Sequence, residues 1–194
     1  MKYILEQNFT AHKALLKSML ADEALKRQIA DCAAAVCKCL QSGGKLLLCG
    51  NGGSAADAMH ITAEFVGNFY RPKRALSAIC LNTNAANMTS LANDSDYRFI
   101  FSRQVEAIGA PGDLLIALTT SGKSANVLEA VTAAKLQGIS TMVLCGKNTE
   151  KLQSDYVIAV PSADTPRIQE MHMLIGHFFA QCAEDYFLDG ENNG

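Results

Sequence analysis

The sequence predicts an α/β domain, a three-layer sandwich around a five-stranded parallel sheet with two helices ahead of it. Five short apolar runs, each almost unbroken, alternate with segments of helical pattern. Unbroken apolar strands belong to parallel sheets covered on both faces, whereas half-exposed strands alternate apolar with polar. Two Gly/Ser-rich loops, 50–54 and 119–124, directly follow the first and third runs. Sheets of this kind bind ligands beyond the carboxyl ends of their strands, so these loops mark the site.

Residues 3–20 and 22–42 are rich in Ala, Leu, Lys and Glu, with apolar residues at three- and four-residue steps, the helical period. Leu15, Leu16, Met19 and Leu20 form one stripe; Ile29, Cys32, Ala33, Val36 and Leu40 form another. Ser42-Gly43-Gly44 ends the second helix. KLLLCG (45–50) reads as the first strand and leads through a glycine loop into a helix from about Ala55. ALSAICL (75–81) is the second strand, followed by turn residues and helical text. DLLIALTT (113–120) is the third, with a helix through about Gln137; STMVLCG (140–146) and DYVIAV (155–160) are the fourth and fifth. A last helix spans about Thr165–Tyr186, and Asp189–Gly194 reads as a polar, frayed tail.

The 194 residues suit one domain, since single cores usually take roughly 100–200 residues. Residues 1–42 are the helices, whose wide apolar stripes suit subunit assembly, and 43–188 the sheet with its covering helices. Apolar residues make up 49% and charged residues 19%, and the net charge is −2. Lys and Arg are scattered, so neither a nucleic-acid groove nor a membrane-surface helix is expected. There is no apolar run long enough for a membrane span and no secretory signal pattern. The seven cysteines are odd in number, lack Cys-x-x-Cys and sit in apolar runs, as reduced, buried thiols of a cytoplasmic protein do.

Thr119-Thr120-Ser121-Gly122-Lys123-Ser124 joins a strand to a helix. Its hydroxyls and the helix-start amides can converge on a phosphate; equally, a serine there can simply cap the helix. The Walker spacing is absent, so a nucleoside triphosphate is not implied. Gly50-Asn51-Gly52-Gly53-Ser54-Ala55 formally matches a dinucleotide fingerprint, but Cys80-Leu81-Asn82-Thr83 ends the second strand without the required carboxylate. Asn51 and Ser54 instead suit hydrogen bonding to a polar ligand laid against bare glycine backbone. His60 and Glu64, four apart on a helix, share a face, as two metal ligands, an acid/base pair or an exposed charge pair would. On the last helix Gln169 and His177 are eight residues apart, so they reach one ligand only from two ends of a site or from different subunits; His172 and His12 read as ordinary helix residues.

The stretches CGNGGSAADAMHITAEF, LANDSDYRFIFSRQVEAIGAPGD, TTSGKSANVLEA and RIQEMHMLIGH, in this order, resemble the phosphoheptose isomerase family of the SIS (sugar isomerase) fold, which is flavodoxin-like. The resemblance spans nearly the whole chain. It implies an isomerase converting sedoheptulose 7-phosphate to D-glycero-D-manno-heptose 7-phosphate through an enediol, the first step of ADP-heptose synthesis for the lipopolysaccharide core. It further implies a cytoplasmic homotetramer with one zinc per subunit and active sites near subunit contacts. Asn51, Gly52, Gly53, Asn93 and Asp94 match sugar contacts, and Thr119, Thr120, Ser121 and Ser124 match the phosphate loop. His60, Glu64, Gln169 and His177 match the zinc set, with Glu64 and Gln169 also touching substrate and Glu64 and His177 forming the acid/base pair. The chain departs from the family with Pro166 in place of a frequent Asp and Asn68 in place of a frequent Arg. Noncatalytic proteins of the same fold that bind a replication initiator are the competing resemblance. They generally lack the counterparts of Glu64 and His177.

Overall fold

The computed structural model describes residues 1–150 and 152–191, with side chains through Leu188. Helices α1 (Lys2–Ala21) and α2 (Glu23–Gln41) lead, joined at Asp22, whose carboxylate caps α2 by accepting the Leu25 amide at 2.9 Å. Strands β1 (Leu46–Gly50), β2 (Ala78–Cys80), β3 (Leu114–Thr119), β4 (Ser140–Cys145) and β5 (Tyr156–Ala159) make one sheet in the order β2-β1-β3-β4-β5. All neighbours are parallel. The helices α3 (Gly53–Val66), α4 (Ala85–Asp94), α5 (Ser102–Ile108), α6 (Ala125–Leu136) and α7 (Thr165–Glu191) cover it, with a 3-10 turn at Tyr97–Phe99.

Side chains alternate across the strands, so the sheet separates two cores. Leu46, Leu48, Ile116, Leu118 and Leu144 pack with α2, α3 and α7 residues such as Val36, Ile61 and Phe179. Leu47, Cys49, Leu115, Ala117 and Val143 pack on the other face with Phe101, Val105, Val127 and Val131. The fold class, the sheet and the two leading helices are those the sequence predicts.

The edges differ from the expected bounds. β2 pairs over only three residues, Ala78–Cys80, because it lies at the sheet edge and has β1 alone for a partner. The helix after β1 begins at Gly53, two residues earlier than expected. α7 continues to Glu191, so the expected fraying at Asp189 is not seen in the backbone; residues 192–194 lie outside the described residues.

The chain moves from β1 outward to β2, then crosses to the other side of β1 for β3. A crevice therefore opens where the strand order reverses, beyond the ends of β1 and β3. α3 and α7 run side by side along this crevice. Their contact is close because Gly176 has no side chain: a Cβ there would collide with Ile61.

Candidate active site

The glycine loop follows β1 into the crevice. Asn51 and the buried Asn126, at the start of α6, exchange side-chain amide hydrogen bonds, each Nδ2 donating to the other's Oδ1 at 2.8 Å. The Tyr97 hydroxyl donates to Asn51 Oδ1 at 3.2 Å. This network ties the loop after β1 to the start of α6 and to the 3-10 turn at Tyr97–Phe99. Gly53 allows a close approach, since a Cβ there would collide with the Gln169 side chain. Gln169 Nε2 in turn donates to Ser54 Oγ at 3.5 Å.

Across the crevice, Thr119 Oγ1 and Ser124 Oγ meet at 3.1 Å. Ser124 holds the N-cap position of α6, but its hydroxyl makes no cap hydrogen bond. The simple capping alternative therefore does not describe the Ser124 hydroxyl, which meets Thr119 Oγ1 instead. Ser121 Oγ accepts the Lys123 amide at 3.2 Å, which curls the loop. Gly122 has φ +64°, and a Cβ there would collide with the Asn148 carbonyl. Two hydroxyls and the positive end of α6 thus surround one loop. Asn93 and Asp94 lie exposed at the end of α4 and bond to each other at 2.7 Å, three residues before Tyr97.

Further along the α3–α7 seam, His60 Nε2 lies 2.9 Å from His177 Nε2 and 3.2 Å from Glu64 Oε1. Ligand atoms of His60, Glu64 and His177 all fall within 4.8 Å of one another. Two imidazole nitrogens and one carboxylate facing a common point make a donor set that suits zinc. Gln169 is at the loop end of the seam beside Ser54, about 12 Å of helix rise from His177. One chain therefore brings three of the four expected ligands together.

Several residues with no sequence signal line this site. Asp57 stands one turn before His60; its Oδ2 is buried without a hydrogen-bond partner, and burial pushes the carboxyl up to about 6, with His60 drawing it partly back. Lys73 Nζ donates to the main-chain carbonyls of Glu64, at 2.9 Å, and Gly67, where α3 ends. Phe69 packs its ring against His177 at 5.5 Å between centroids. Arg71, near the position where Asn68 replaces a frequent arginine, pairs with Asp185 of α7. Beside His177 a groove of about 620 Å³ is walled by Ile29, Phe69, Tyr70, Leu174 and Phe178.

The SIS domain family matches residues 8–146. A phosphoheptose isomerase of Thermodesulfovibrio yellowstonii is 48% identical over 163 residues, covering 83% of this chain and 81% of that protein. One of Helicobacter pylori (strain P12) is 44% identical over 186 residues, covering 95% of this chain and 96% of that protein. This chain belongs to the phosphoheptose isomerase family. Solved structures agree with that membership. Phosphoheptose isomerase GmhA from Neisseria gonorrhoeae superposes with TM-score 0.85 at 35% identity, over 94% of this chain and 98% of that one. The family's enzyme from Francisella tularensis gives TM-score 0.88 at 32% identity, over 93% and 96%. Among the described residues no helix is long and apolar enough to cross a membrane.

Proposed function

We propose that this protein is an aldose–ketose isomerase converting sedoheptulose 7-phosphate to D-glycero-D-manno-heptose 7-phosphate, the first step of ADP-heptose synthesis for the lipopolysaccharide core. The observation that carries this reading is the convergence of His60, Glu64 and His177 in the same crevice as a hydroxyl-lined loop.

The hard step is removal of a weakly acidic C–H proton beside a carbonyl. A carboxylate placed within hydrogen-bond reach of that proton can take it. Glu64 removes the proton from C1 of the open-chain ketose and returns it to C2. His177 gives a proton to the C2 oxygen and takes one from the C1 hydroxyl, so the enediol collapses to the aldehyde. Thr119, Thr120, Ser121 and Ser124 hold the phosphate, while Asn51, Gly52, Gly53, Ser54, Asn93, Asp94 and Gln169 contact the sugar. Anchoring matters because misplacement by about 1 Å can cost on the order of a hundredfold in rate.

His60, Glu64 and His177 would hold a zinc ion, one per subunit, with Gln169 as the fourth ligand. When bound, zinc supplies Lewis acidity that stabilises negative charge on the enediol oxygens. His177 and Gln169 of one chain are two turns apart, so Gln169 would complete the set from the far end of the site or from a partner subunit. We take the protein to be a homo-oligomer, a tetramer. Apolar side chains left exposed on α1 (Tyr3, Ile4, Leu5 and Phe9) and on α7 (Leu174 and Phe178) are the surfaces for it. The free thiols fit a cytoplasmic enzyme. Formation of aldose phosphate from sedoheptulose 7-phosphate, lost in Glu64→Gln, tests the reading.

A further inference from the structure

Glu184 is a fully buried carboxylate that takes no part in the chemistry above. It stands on α7 seven residues after His177, two turns on and on nearly the same face. Its oxygens accept the main-chain N–H groups of three successive residues. Phe69 donates to Oε1 at 3.2 Å, Tyr70 to both oxygens at 3.1 Å, and Arg71 to Oε1 at 3.1 Å. Successive amides converging in this way form a nest that favours an anion. Arg71 Nε adds positive charge 3.8 Å from Oε2.

These amides belong to the segment between α3 and β2, where residues 67–77 form no helix or strand. Main-chain donors outside regular structure need an acceptor other than a helix or sheet carbonyl, and Glu184 is that acceptor for three of them. Lys73 ties the same segment to the carbonyls that end α3. The segment is thus pinned to α7 by a carboxylate and to α3 by an ammonium.

Phe69 is the first of the three residues so held. Its ring lies 5.5 Å from the His177 ring, and Tyr70 packs edge-on against it at 4.5 Å. The His60 ring lies 5.2 Å from that of His177. The His177 imidazole therefore sits between His60 and a phenyl ring whose own backbone is fixed by Glu184.

We propose that Glu184 is a positioning residue for the isomerase reaction: through the nest at residues 69–71 it seats Phe69 against His177 and holds that imidazole facing His60 and Glu64. This rests on the reading of His177 as the acid/base partner. A carboxylate suits the nest because both oxygens accept: three amides reach Oε1, while Oε2 takes the Tyr70 amide and faces the Arg71 guanidinium. In a glutamine the NH2 in place of Oε2 would face those last two donors and lose the ion pair.

The test is kinetic, on the full-length enzyme with sedoheptulose 7-phosphate. Glu184→Gln and, separately, Phe69→Leu should each lower kcat by about tenfold or more, with KM held by the intact phosphate loop. Phe69→Tyr, which restores the ring, should recover most of the rate. The His177 ring signals in NMR should move in both impaired variants. Circular dichroism checks folding; if Glu184→Gln does not fold, Phe69→Leu decides, since it leaves the buried charge untouched. Wild-type kcat and unmoved His177 signals in folded Phe69→Leu would overturn the proposal. His177→Gln runs beside them: if it retains activity, the role given to His177 is what fails, whereas an inactive His177→Gln with active Glu184 and Phe69 variants sinks this inference alone.

Discussion

His60 Nε2 and His177 Nε2 face each other at 2.9 Å across the α3–α7 seam. Two imidazoles held that close, with Glu64 Oε1 at 3.2 Å from one of them, form a site that a cation draws together. Excess zinc should therefore stabilise the wild type, by about 2.7 kcal/mol at a hundredfold its Kd. His60→Ala and His177→Ala should each abolish most of that gain and drop the bound zinc well below one per subunit. Thermal unfolding with and without zinc, paired with metal analysis, checks both. A wild-type Tm that zinc does not move would remove the metal from the account.

As the proposed phosphate anchor, the 119–124 loop should act on binding more than on chemistry. Thr119 and Ser124 hydroxyls meet at 3.1 Å where β3 passes into α6, whereas Glu64 stands on α3 and His177 on α7. Hydrogen bonds to a charged partner are worth about 1.5–3 kcal/mol, so Ser124→Ala should raise KM by about tenfold or more while kcat changes little. Ser121→Ala should act in the same direction. Steady-state kinetics in both variants tests this; unchanged KM in both would take the phosphate away from this loop.

The reciprocal Asn51–Asn126 pair ties the loop after β1 to the start of α6. Removing one partner leaves buried polar atoms unsatisfied, at about 1–3 kcal/mol. Asn126→Ala should lower stability by that amount and reduce kcat/KM. In a double-mutant cycle Asn51→Ala should add little further loss in the Asn126→Ala background. Denaturant unfolding of the four proteins gives the coupling, and strict additivity would contradict it.

The sheet was legible because β1, β3 and β4 are buried on both faces and so are written as unbroken apolar text. β2 shrank most, to three residues from seven, since an edge strand is paired on one side and Ile79 stays exposed; the other strands lost one or two residues at their ends. The two loops and the His60/Glu64 pair were legible because they are local: a strand end, a glycine, a spacing of four. His177 entered through resemblance, and its meeting with His60 depends on α3 and α7 packing, which spacing cannot show. Glu184 and Asn126 were illegible for a different reason. Glu184 binds main-chain amides more than a hundred residues away, which carry no residue signature, and Asn126 at a helix start looks like ordinary capping chemistry.

His172 gives a pH prediction. It read as an ordinary helix residue, yet it is fully buried, and neither ring nitrogen has a hydrogen-bond partner among the described residues. Burial pushes its imidazole down to about 4 from the usual 6.5, with the Cys145 main chain offsetting part. Below 6.5 the unfolded chain takes up a proton that the folded chain refuses until about 4. Stability should fall as pH drops through that window, by about 3 kcal/mol in total from this residue. His172→Leu should flatten that part of the acid limb and leave the region above neutral pH unaltered. Equal slopes in urea unfolding from pH 7 down to about 4 would contradict the assignment.

As the proposed base, Glu64 would move the proton between C1 and C2 of the sugar phosphate. The most direct measurement follows sedoheptulose 7-phosphate by NMR in deuterated water, with wild type and Glu64→Gln side by side. The wild type should give aldose phosphate carrying deuterium at C2, and a folded, zinc-loaded Glu64→Gln neither product nor exchange at C1. Turnover by Glu64→Gln at the wild-type rate, or a folded, zinc-loaded wild type that leaves the ketose unchanged, would contradict it.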